Sequence, residues 1–371
     1  MALDTNFVAE IIPLIEGMAS AEKMQLSNAI MERVEEYKDF DTSPLHTVMT
    51  GIRNGNLIPI LSSNYNPEAF PFNDSNNCDV PVCDLGDMPV GSHKWKTGLI
   101  ECKVGICMRS FNDDFRKFWN DNVNDFGGEA DIQSALVQYL VNQFRGSFNL
   151  AKWRTSYFGD EAFAGASAQY YNGFNGFFVH AEALAPTNVV EITQNAGATY
   201  TDQKNITGLD IYNYLVAMVD IYADQVWNEG GQLEFRMTKL TAQKLMNYFN
   251  RLQDKTCCGN LEILNPAGVQ GSKLATIDNM SFDGYPIRVV NEWDYLINEA
   301  SGLNGGGGNN ARLNPHRILF TYANNLVVGT ESTESLDHFD VWYNRDDKKI
   351  YLEGGARLGA GIPLNNYVLA I

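Results

Sequence analysis

One segment limits the possible folds of this chain more than any other, because it predicts a single helix of about 25–30 residues. A helix of that length is long for a globular domain. Glu129 or Asp131 suits its first turn, and Gly159 suits its end. The apolar residues that recur at helical spacing along it are Ile132, Leu136, Tyr139, Leu140, Phe144 and Phe148.

The two segments before this helix have different patterns. Residues 4–38 carry an amphipathic helical stripe, which packs either on the chain's own core or on a neighbouring molecule. Residues 50–112 are rich in Asn, Pro, Asp and Gly, with strand-like pieces such as LIPIL and GLIECKVGICM. A compact domain rarely contains about 60 such residues unless a hairpin or a partner organises them. Because Trp95 and the apolar face of residues 99–107 lack cover on an isolated hairpin, we predict that another surface contacts them.

From Gly208 onwards the pattern alternates between helices and strands. The segments LDIYNYLVAMVDIYADQVW and TAQKLMNYFNRLQ predict helices, the second with Thr241 as its N-cap, and QLEFRMT between them predicts a strand. The segment SFDGYPIRVV predicts a turn followed by a strand. A glycine-rich loop, SGLNGGGGNNARLNP, comes next, and strand-like segments continue to the apolar YVLAI.

This order of elements resembles that of tailed-phage major capsid proteins, which have the Hong Kong ninety-seven-type fold. The stretch SFDGYPIRVVNEWD is similar to a turn and strand of that family. The closing DVWYNRDDKKIYLEGGARLGAGIPLNNYVLAI resembles its last P-domain strands, and GFNGFFVHAEA matches a segment that follows its long helix. The resemblance covers the whole chain in order, and the order carries more weight than any single motif.

The resemblance implies an α+β fold in which the last strand, YVLAI, completes the sheet of the peripheral domain. The implied parts are an N-terminal helical arm (1–49), an extended β E-loop (50–112), a peripheral P-domain (113–204 and 336–371) with a spine helix at about 128–158, and an axial α/β A-domain (205–335).

The function that the resemblance implies is structural and not enzymatic. Copies of the chain are expected to form the hexamers and pentamers of an icosahedral shell that encloses double-stranded DNA. The implied partners are other copies, the packaged DNA by non-specific proximity, and portal, scaffold or cement proteins. The implied location is the virion, with assembly in the host cytoplasm.

The resemblance also places candidate subunit-interface residues in two regions. The E-loop is expected to lie over a neighbour's spine helix and to bury Trp95, Lys96 and the strands around Cys102. The glycine-rich loop is expected near the capsomer axis, where Gly305, Gly306, Gly307 and Gly308 allow backbones to approach closely. Arg312 is then positioned to pair with a carboxylate of the adjacent subunit.

Charge and composition agree with a large globular protein that does not hold nucleic acid tightly. Hydrophobic residues make up 44% and charged residues 19% of the 371 residues, which is enough for a sizeable core. The net charge of -18 repels nucleic acid and anionic membranes. No run of about eighteen apolar residues predicts a membrane span, and MALDTNFVAE lacks the basic region of a secretory signal.

Cysteine spacing does not predict a metal site, and we expect no cofactor. CDVPVC and CKVGIC have four residues between their thiols, whereas structural zinc sites usually have two. In a strand, the odd separation of Cys102 and Cys107 puts the two thiols on opposite faces. His338, beside Asp337 and Asp340, is a mild metal candidate, and the simpler interpretation is an acidic hairpin edge.

Catalytic motifs are absent from the sequence. It contains no G-x-x-x-x-G-K-[ST], no H-E-x-x-H and no G-x-S-x-G, and GGGGNN lacks the spacing of a dinucleotide fingerprint.

Two alternatives remain open at this point. The first is an encapsulin-type compartment of the same fold, which encloses cargo enzymes instead of DNA. The second is a carbohydrate-binding protein or glycosidase, because YYNGFNGFF offers aromatic rings for stacking on sugars. The long helix opposes the second alternative, since it suits no common sugar-binding β-sandwich.

Overall fold

The structure is a computed structural model, which describes residues 40, 43–61, 90–107, 132–164, 168–184, 186–223, 232–255, 280–303, 314–331, 338–347, 349–363 and 367–371. The predicted arm helix at 4–38 lies outside these residues. The helices are α1 (Ile132–Phe158), α2 (Phe177–Leu184), α3 (Tyr200–Gln203), α4 (Gly208–Ala223), α5 (Lys239–Lys255) and α6 (Asn291–Leu303). The strands are β1 (Thr47–Met49), β2 (Leu57–Leu61), β3 (Val90–Lys94), β4 (Gly98–Cys107), β5 (Val189–Val190), β6 (Leu233–Met237), β7 (Ser281–Phe282), β8 (Tyr285–Val289), β9 (Ile318–Tyr322), β10 (Val327–Thr330), β11 (His338–Asn344), β12 (Lys349–Gly361) and β13 (Tyr367–Ala370).

Helix α1 has 27 residues, within the length that the apolar spacing predicts. It ends where expected, and the amide of Gly159 donates to the carbonyl of Thr155 at 3.0 Å. A Cβ at Gly159 would lie 2.4 Å from the carbonyl oxygen of Phe174, so only glycine fits this position. The C-terminal half of α1 is anchored by Trp153 and Tyr157, which are fully buried.

One sheet is organised around the long strand β12. Strand β4 is antiparallel to it along residues 349–358, so β4 occupies one edge of β12. Strands β10 and β11 pair with the other edge, one after the other, and β1 adds to β10 in parallel. Side chains of this sheet alternate between faces, and the face that carries Ile350 and Leu352 is buried. Helix α1 covers this inner face, where Phe144 and Phe339 meet edge to face at 5.9 Å.

The second sheet has six strands in the order β5-β13-β9-β6-β8-β7. Helices α4 and α5 cover one face, and α2, α6 and the end of α1 cover the other. The turn between β7 and β8 confirms the predicted turn in SFDGYP, since Asp283 and Gly284 both have positive φ, at 49° and 81°. Two consecutive residues of this kind make the two-residue turn of a hairpin.

The last strand lies in the six-stranded sheet and not in the sheet that β11 and β12 form. Strand β13 pairs with β5, which lies in the range expected for the P-domain, and with β9, which lies in the range expected for the A-domain. Tyr367 and Leu369 face one core, and Val368 and Ala370 face the other. The strand is therefore covered on both faces, which explains why all four of its residues are apolar.

Helix α5 also begins earlier than predicted. Its first residue is Lys239, not a residue after Thr241. The Asp294 carboxylate accepts hydrogen bonds from the amides of Lys239 and Leu240, and the Thr238 hydroxyl accepts one from the amide of Thr241 at 3.4 Å. The helix start is thus capped partly by a side chain from α6, which local sequence does not indicate.

Candidate functional site

Backbone hydrogen bonds close the hairpin β2–β3 at the end where it joins the rest of the chain, which we call the base of the hairpin (residues 51–56 and 95–97). The amide of Trp95 donates to the carbonyl of Asn56 at 2.8 Å, and the amide of Gly55 donates to the carbonyl of Trp95 at 2.8 Å. The amides of Gly51 and Ile52 donate to the carbonyls of Glu331 and Thr330, at the end of β10, at 3.1 and 3.0 Å. Both chain ends of the hairpin are therefore held against the sheet of β10 and β12.

The indole of Trp95 is the centre of this base. It is 3% exposed and packs with Val327 and Ile52. Gly329 and Gly359, which face each other across β10 and β12, form a flat seat beneath it. A Cβ at Gly329 would lie 2.9 Å from Cζ3 of Trp95, and a Cβ at Gly359 would lie 3.2 Å from Cε3. The expectation that Trp95 lacks cover on its own chain is wrong, because this pair of glycines lets the sheet receive the ring.

Lys96 is bonded within its own chain. Its Nζ lies 2.5 Å from Oε2 of Glu161, and its side chain remains 65% exposed. The backbone of Glu161 is itself held in place, because its amide donates to the side-chain oxygen of Asn175 at 3.0 Å. A surface ion pair of this kind contributes about 0–1 kcal/mol to stability. Lys96 thus links the start of β4 to the segment that follows α1.

Strand β4 extends beyond the cover that protects β12. Residues 101–105 are exposed on both faces of the sheet, whereas Leu352, which lies opposite Val104 on β12, is buried. Two apolar side chains on the strand are also open to solvent, Leu99 at 46% and Val104 at 38%. Among the residues that the structure describes, β4 pairs with β12 alone, so its second edge carries no described strand.

Cys102 lies in the middle of this exposed stretch. Partial burial raises the pKa of its thiol, and the nearby Arg154 guanidinium opposes that shift. Cys102 and Cys107 both lie in β4, with the odd separation that the sequence shows. Within the described part of the chain, no group of three or more metal-binding side chains comes together. The thiols of Cys78, Cys83, Cys257 and Cys258 lie outside that part.

The outer face of the same sheet carries a cluster of rings and charges. Nζ of Lys103 lies 4.7 Å from the ring centre of Trp342 and 5.3 Å from that of Tyr351, and the two rings stack at 5.5 Å. Lys103 also lies 3.6 Å from Glu353. The hydroxyl of Tyr351 donates to Asp347 at 2.9 Å, which raises the pKa of Tyr351. These contacts link β4, β11 and β12 on the outer face of the sheet.

A buried polar junction joins the segment before β1 to α1. Nε2 of His46 lies 2.7 Å from the carbonyl oxygen of Phe40, and its Nδ1 lies 3.1 Å from the hydroxyl of Tyr157. Because a carbonyl only accepts, Nε2 carries the proton and Nδ1 accepts from Tyr157. Burial lowers the pKa of His46 to about 3, so the ring is neutral at pH 7. The side chain of Asn149 accepts from the amide of Phe40 at 3.0 Å and completes this attachment.

The junction continues into the six-stranded sheet through a buried ion pair. Arg236 is fully buried, and its Nε donates to Glu234 at 2.8 Å. Arg288 donates to the other oxygen of Glu234, also at 2.8 Å. A further guanidinium nitrogen of Arg236 donates to the carbonyl of Leu45. Sequence analysis missed this pair, although the alternating charges within QLEFRMT were a signal that one face of the strand is polar.

The glycine-rich loop carries the second group of predicted interface residues. Gly305, Gly306, Gly307, Gly308 and Arg312 lie outside the described residues. The structure describes the helix before the loop, which ends at Leu303, and the chain from residue 314 onwards. Beyond the loop, Arg317 lies over the rings of Phe178 and Phe158, at 4.6 and 5.0 Å. In the first group, Trp95 and Lys96 directly precede β4, whereas Cys102 lies in the middle of that strand.

His316, like His46, lies in a buried structural position. Nδ1 of His316 lies 2.9 Å from the hydroxyl of Thr241, which looks like a hydroxyl activated by a base. His316 and Thr241 are both fully buried, however, so no substrate reaches them. Burial lowers the pKa of His316 to about 4, and the pair serves to close the end of β9 onto α5.

None of the helices in the described ranges is both long and apolar enough to cross a bilayer.

Comparison with known proteins identifies the fold. No family model matches the sequence, and no curated protein matches it. The chain is similar to a structure of the satellite phage P4 procapsid that includes the size determination (Sid) protein, with 12% identity, a TM-score of 0.51 and coverage of 93% of this chain and 89% of that one. It is also similar to the capsid of the cyanophage P-SCSP1u, with 13% identity, a TM-score of 0.43 and coverage of 91% of this chain and 90% of that one. The capsid of an empty GTA particle has 10% identity and a TM-score of 0.44, with coverage of 100% of this chain and 99% of that one. The likeness to the P4 procapsid confirms the predicted resemblance to the tailed-phage capsid fold, as a mixed α+β fold with several sheets.

Proposed function

We propose that this chain is a major capsid subunit, whose copies assemble into the hexamers and pentamers of an icosahedral shell around double-stranded DNA. The observation that carries the proposal is the likeness of fold to the P4 procapsid over 93% of the chain. The chain is a structural protein in this proposal and has no catalytic site. Shells of this kind are built from heterologous contacts that close into rings.

The described elements support the division into parts that the resemblance implies. We assign the hairpin β2–β3 and β4 to the E-loop and α1 to the spine helix. The proposed ranges are 1–49 for the arm, 50–112 for the E-loop, 113–204 with 336–371 for the P-domain, and 205–335 for the A-domain. Two strands cross between the P-domain and A-domain ranges, because β10 joins the sheet of β12 and β13 joins the sheet of β6. Strands β1 and β4, from the arm and E-loop ranges, also join the sheet of β12.

Two contacts between subunits are proposed, one at the hairpin β2–β3 and one at the glycine-rich loop. The hairpin β2–β3 has only itself as a described strand partner, and a two-stranded ribbon is marginally stable alone. A neighbouring subunit supplies the surface that it needs. We assign Lys96 and Cys102 to the margin of this contact, with Trp95 as the internal anchor. Gly305–Gly308 and Arg312 form the proposed contact at the capsomer axis.

The proposed contents follow from charge. A net charge of -18 leaves few basic groups to neutralise phosphates, and each phosphate contact adds affinity. A shell of such subunits encloses DNA without binding it tightly. Portal, scaffold and cement proteins are further partners in this proposal, and the virion is the proposed location.

Electron microscopy of the purified chain tests the proposal. We expect closed, uniform shells, and nuclease-protected DNA in particles taken from infected or producing cells. Protein cargo in place of DNA would indicate an encapsulin-type compartment. A chain that remains monomeric at high concentration, with scaffold and portal proteins supplied, would contradict the proposal.

A shortened E-loop gives a sharper test. Leu61 and Val90 are register partners at the end of β2 and β3, so an Asn-Gly turn can replace residues 62–89 and close the hairpin. This variant keeps Trp95 and β4, and we expect it to fold like the full chain but not to form closed shells. Full-size shells from the shortened chain would show that the E-loop does not join subunits.

A further inference from the structure

The exposed part of β4 has a sequence that is complementary to itself. Around Cys102 the order is Ile100, Glu101, Cys102, Lys103, Val104, which reads apolar, acidic, thiol, basic, apolar. If two copies of this strand lie antiparallel with Cys102 facing Cys102, each Glu101 faces a Lys103 and each Ile100 faces a Val104. Two ion pairs and two apolar pairs then form across the same contact.

We propose that β4 pairs with β4 of a second copy across a two-fold axis through Cys102. This contact is isologous, because the same residues contribute from both copies. It goes beyond the proposed capsid function, because an icosahedral shell has two-fold axes but does not determine which residues meet at them, and it does not need a closed shell. In an antiparallel pair, directly opposite residues share a face, so the two sheets continue into each other.

The observed register shows that the rows of side chains continue without conflict. On the outer face, Lys103 lies opposite Glu353 of its own β12, and the pairing places Glu101 of the second copy on its other side. Positive charge then lies between two negative charges in each row. On the inner face, Cys102 lies opposite Gly354, which leaves room for two thiols to meet in the middle of the row.

Exposure gives the second reason for this contact. Residues 101–105 are exposed on both faces, and the edge of β4 away from β12 has no described partner. Strand β4 has ten residues and no described strand on this edge, and such an edge recruits another strand unless charge or cover prevents it. Here the charges do not prevent pairing, since they alternate so that the strand attracts its own copy. Leu99, which is 46% exposed, would cover Gly105 of the second copy.

Oxidative crosslinking of the full-length chain tests the pairing. Diamide accepts the two electrons and two protons when two thiols join, so it is suitable as the oxidant. We expect a dimer on a non-reducing gel, whose linked peptide contains Cys102 from both copies, and we expect Cys102→Ser to remove it. Shells that form without this linked peptide would overturn the pairing and leave the capsid proposal intact. Linked dimers without shells would support the pairing and contradict the capsid proposal.

Charge reversal distinguishes this register from chance contact of thiols. Glu101→Lys and Lys103→Glu each place like charges opposite one another twice, and we expect either to lower the yield of Cys102 dimer about tenfold. An equal mixture of the two variants restores both ion pairs, so the yield should return in heterodimers. Lys349→Glu is the matched control for Lys103→Glu, because it makes the same change of net charge on β12, away from the edge. Equal yields in all of these proteins, or no rescue in the mixture, would overturn the proposed register.

Discussion

The glycine seat beneath Trp95 makes Gly359→Ala the most informative single substitution. An added Cβ would lie 2.8 Å from the carbonyl oxygen of Lys96, which is a backbone atom and cannot turn aside. Relief requires the chain at residues 95–97 to move away from β12. That movement would strain the hydrogen bonds between Trp95 and the residues Gly55 and Asn56, which close the base of the hairpin.

The expected magnitude follows from two opposing effects. Forcing an extra methyl group into a packed site costs about 1–3 kcal/mol. Alanine in a strand regains about 0.5–1 kcal/mol relative to glycine, because the unfolded chain has less freedom to lose. We therefore expect the base of the hairpin to lose about 1–2 kcal/mol, which corresponds to a factor of about 5–30 in its opening equilibrium.

Hydrogen exchange at the base of the hairpin measures this effect. Peptides that contain Gly55 and Trp95 should exchange about 5–30 times faster in Gly359→Ala than in the unchanged protein. The matched control is Gly105→Ala, whose added Cβ would also have a neighbour at 2.8 Å, the Cε1 atom of Tyr351. That ring is half-buried on the outer face and is able to turn, so we expect no change at the base. Unchanged exchange in Gly359→Ala, or the same acceleration in Gly105→Ala, would refute the seat.

Three further outcomes are expected. First, the pKa of His46 is about 3 in the folded protein and about 6.5 in the unfolded chain, so the free energy of unfolding falls as pH drops from 6.5 towards 3. In His46→Gln, the free energy of unfolding measured in urea should depend less on pH in this range, by up to about 1.4 kcal/mol per pH unit. Equal slopes in both proteins would contradict this. Second, Arg236→Ala should cost about 3–5 kcal/mol in urea unfolding, whereas the joint change Glu234→Gln with Arg236→Met should cost less, because it leaves no buried charge alone. Third, replacing Gly305–Gly308 with alanines should lower the yield of shells and leave the melting temperature of isolated subunits nearly unchanged. An unchanged yield would contradict the placement of this loop at the capsomer axis.

Sequence reasoning succeeded where one segment carries the information. Helix α1 was predictable because its apolar spacing and Gly159 are local signals, and the turn at Asp283 and Gly284 was predictable for the same reason. The partner of β13 was not, since strand pairing joins residues far apart in the chain. A signal was nevertheless present, because four consecutive apolar residues without alternation are typical of a strand that is covered on both faces.

The site shows the same limit more strongly. The cover of Trp95 depends on Gly329 facing Gly359, and that register is set by two strands about thirty residues apart. Neither glycine alone indicates a seat for a ring. The cap of α5 by Asp294 and the bond from Arg236 to Leu45 are likewise contacts between distant segments, which the composition of each segment does not reveal.

The position of β13 in the six-stranded sheet also sets an order of events during synthesis. Ribosomes add about 5–20 residues per second, so β5 leaves the ribosome many seconds before residues 367–370 exist. Asn188 and Tyr367, which are hydrogen-bonded, are 179 residues apart along the chain. Until then β5 and β9 flank an open slot. A polypeptide whose translation stops before β13 therefore leaves the facing edges of β5 and β9 unpaired. The six-stranded sheet is complete only in molecules that were translated through to residue 370.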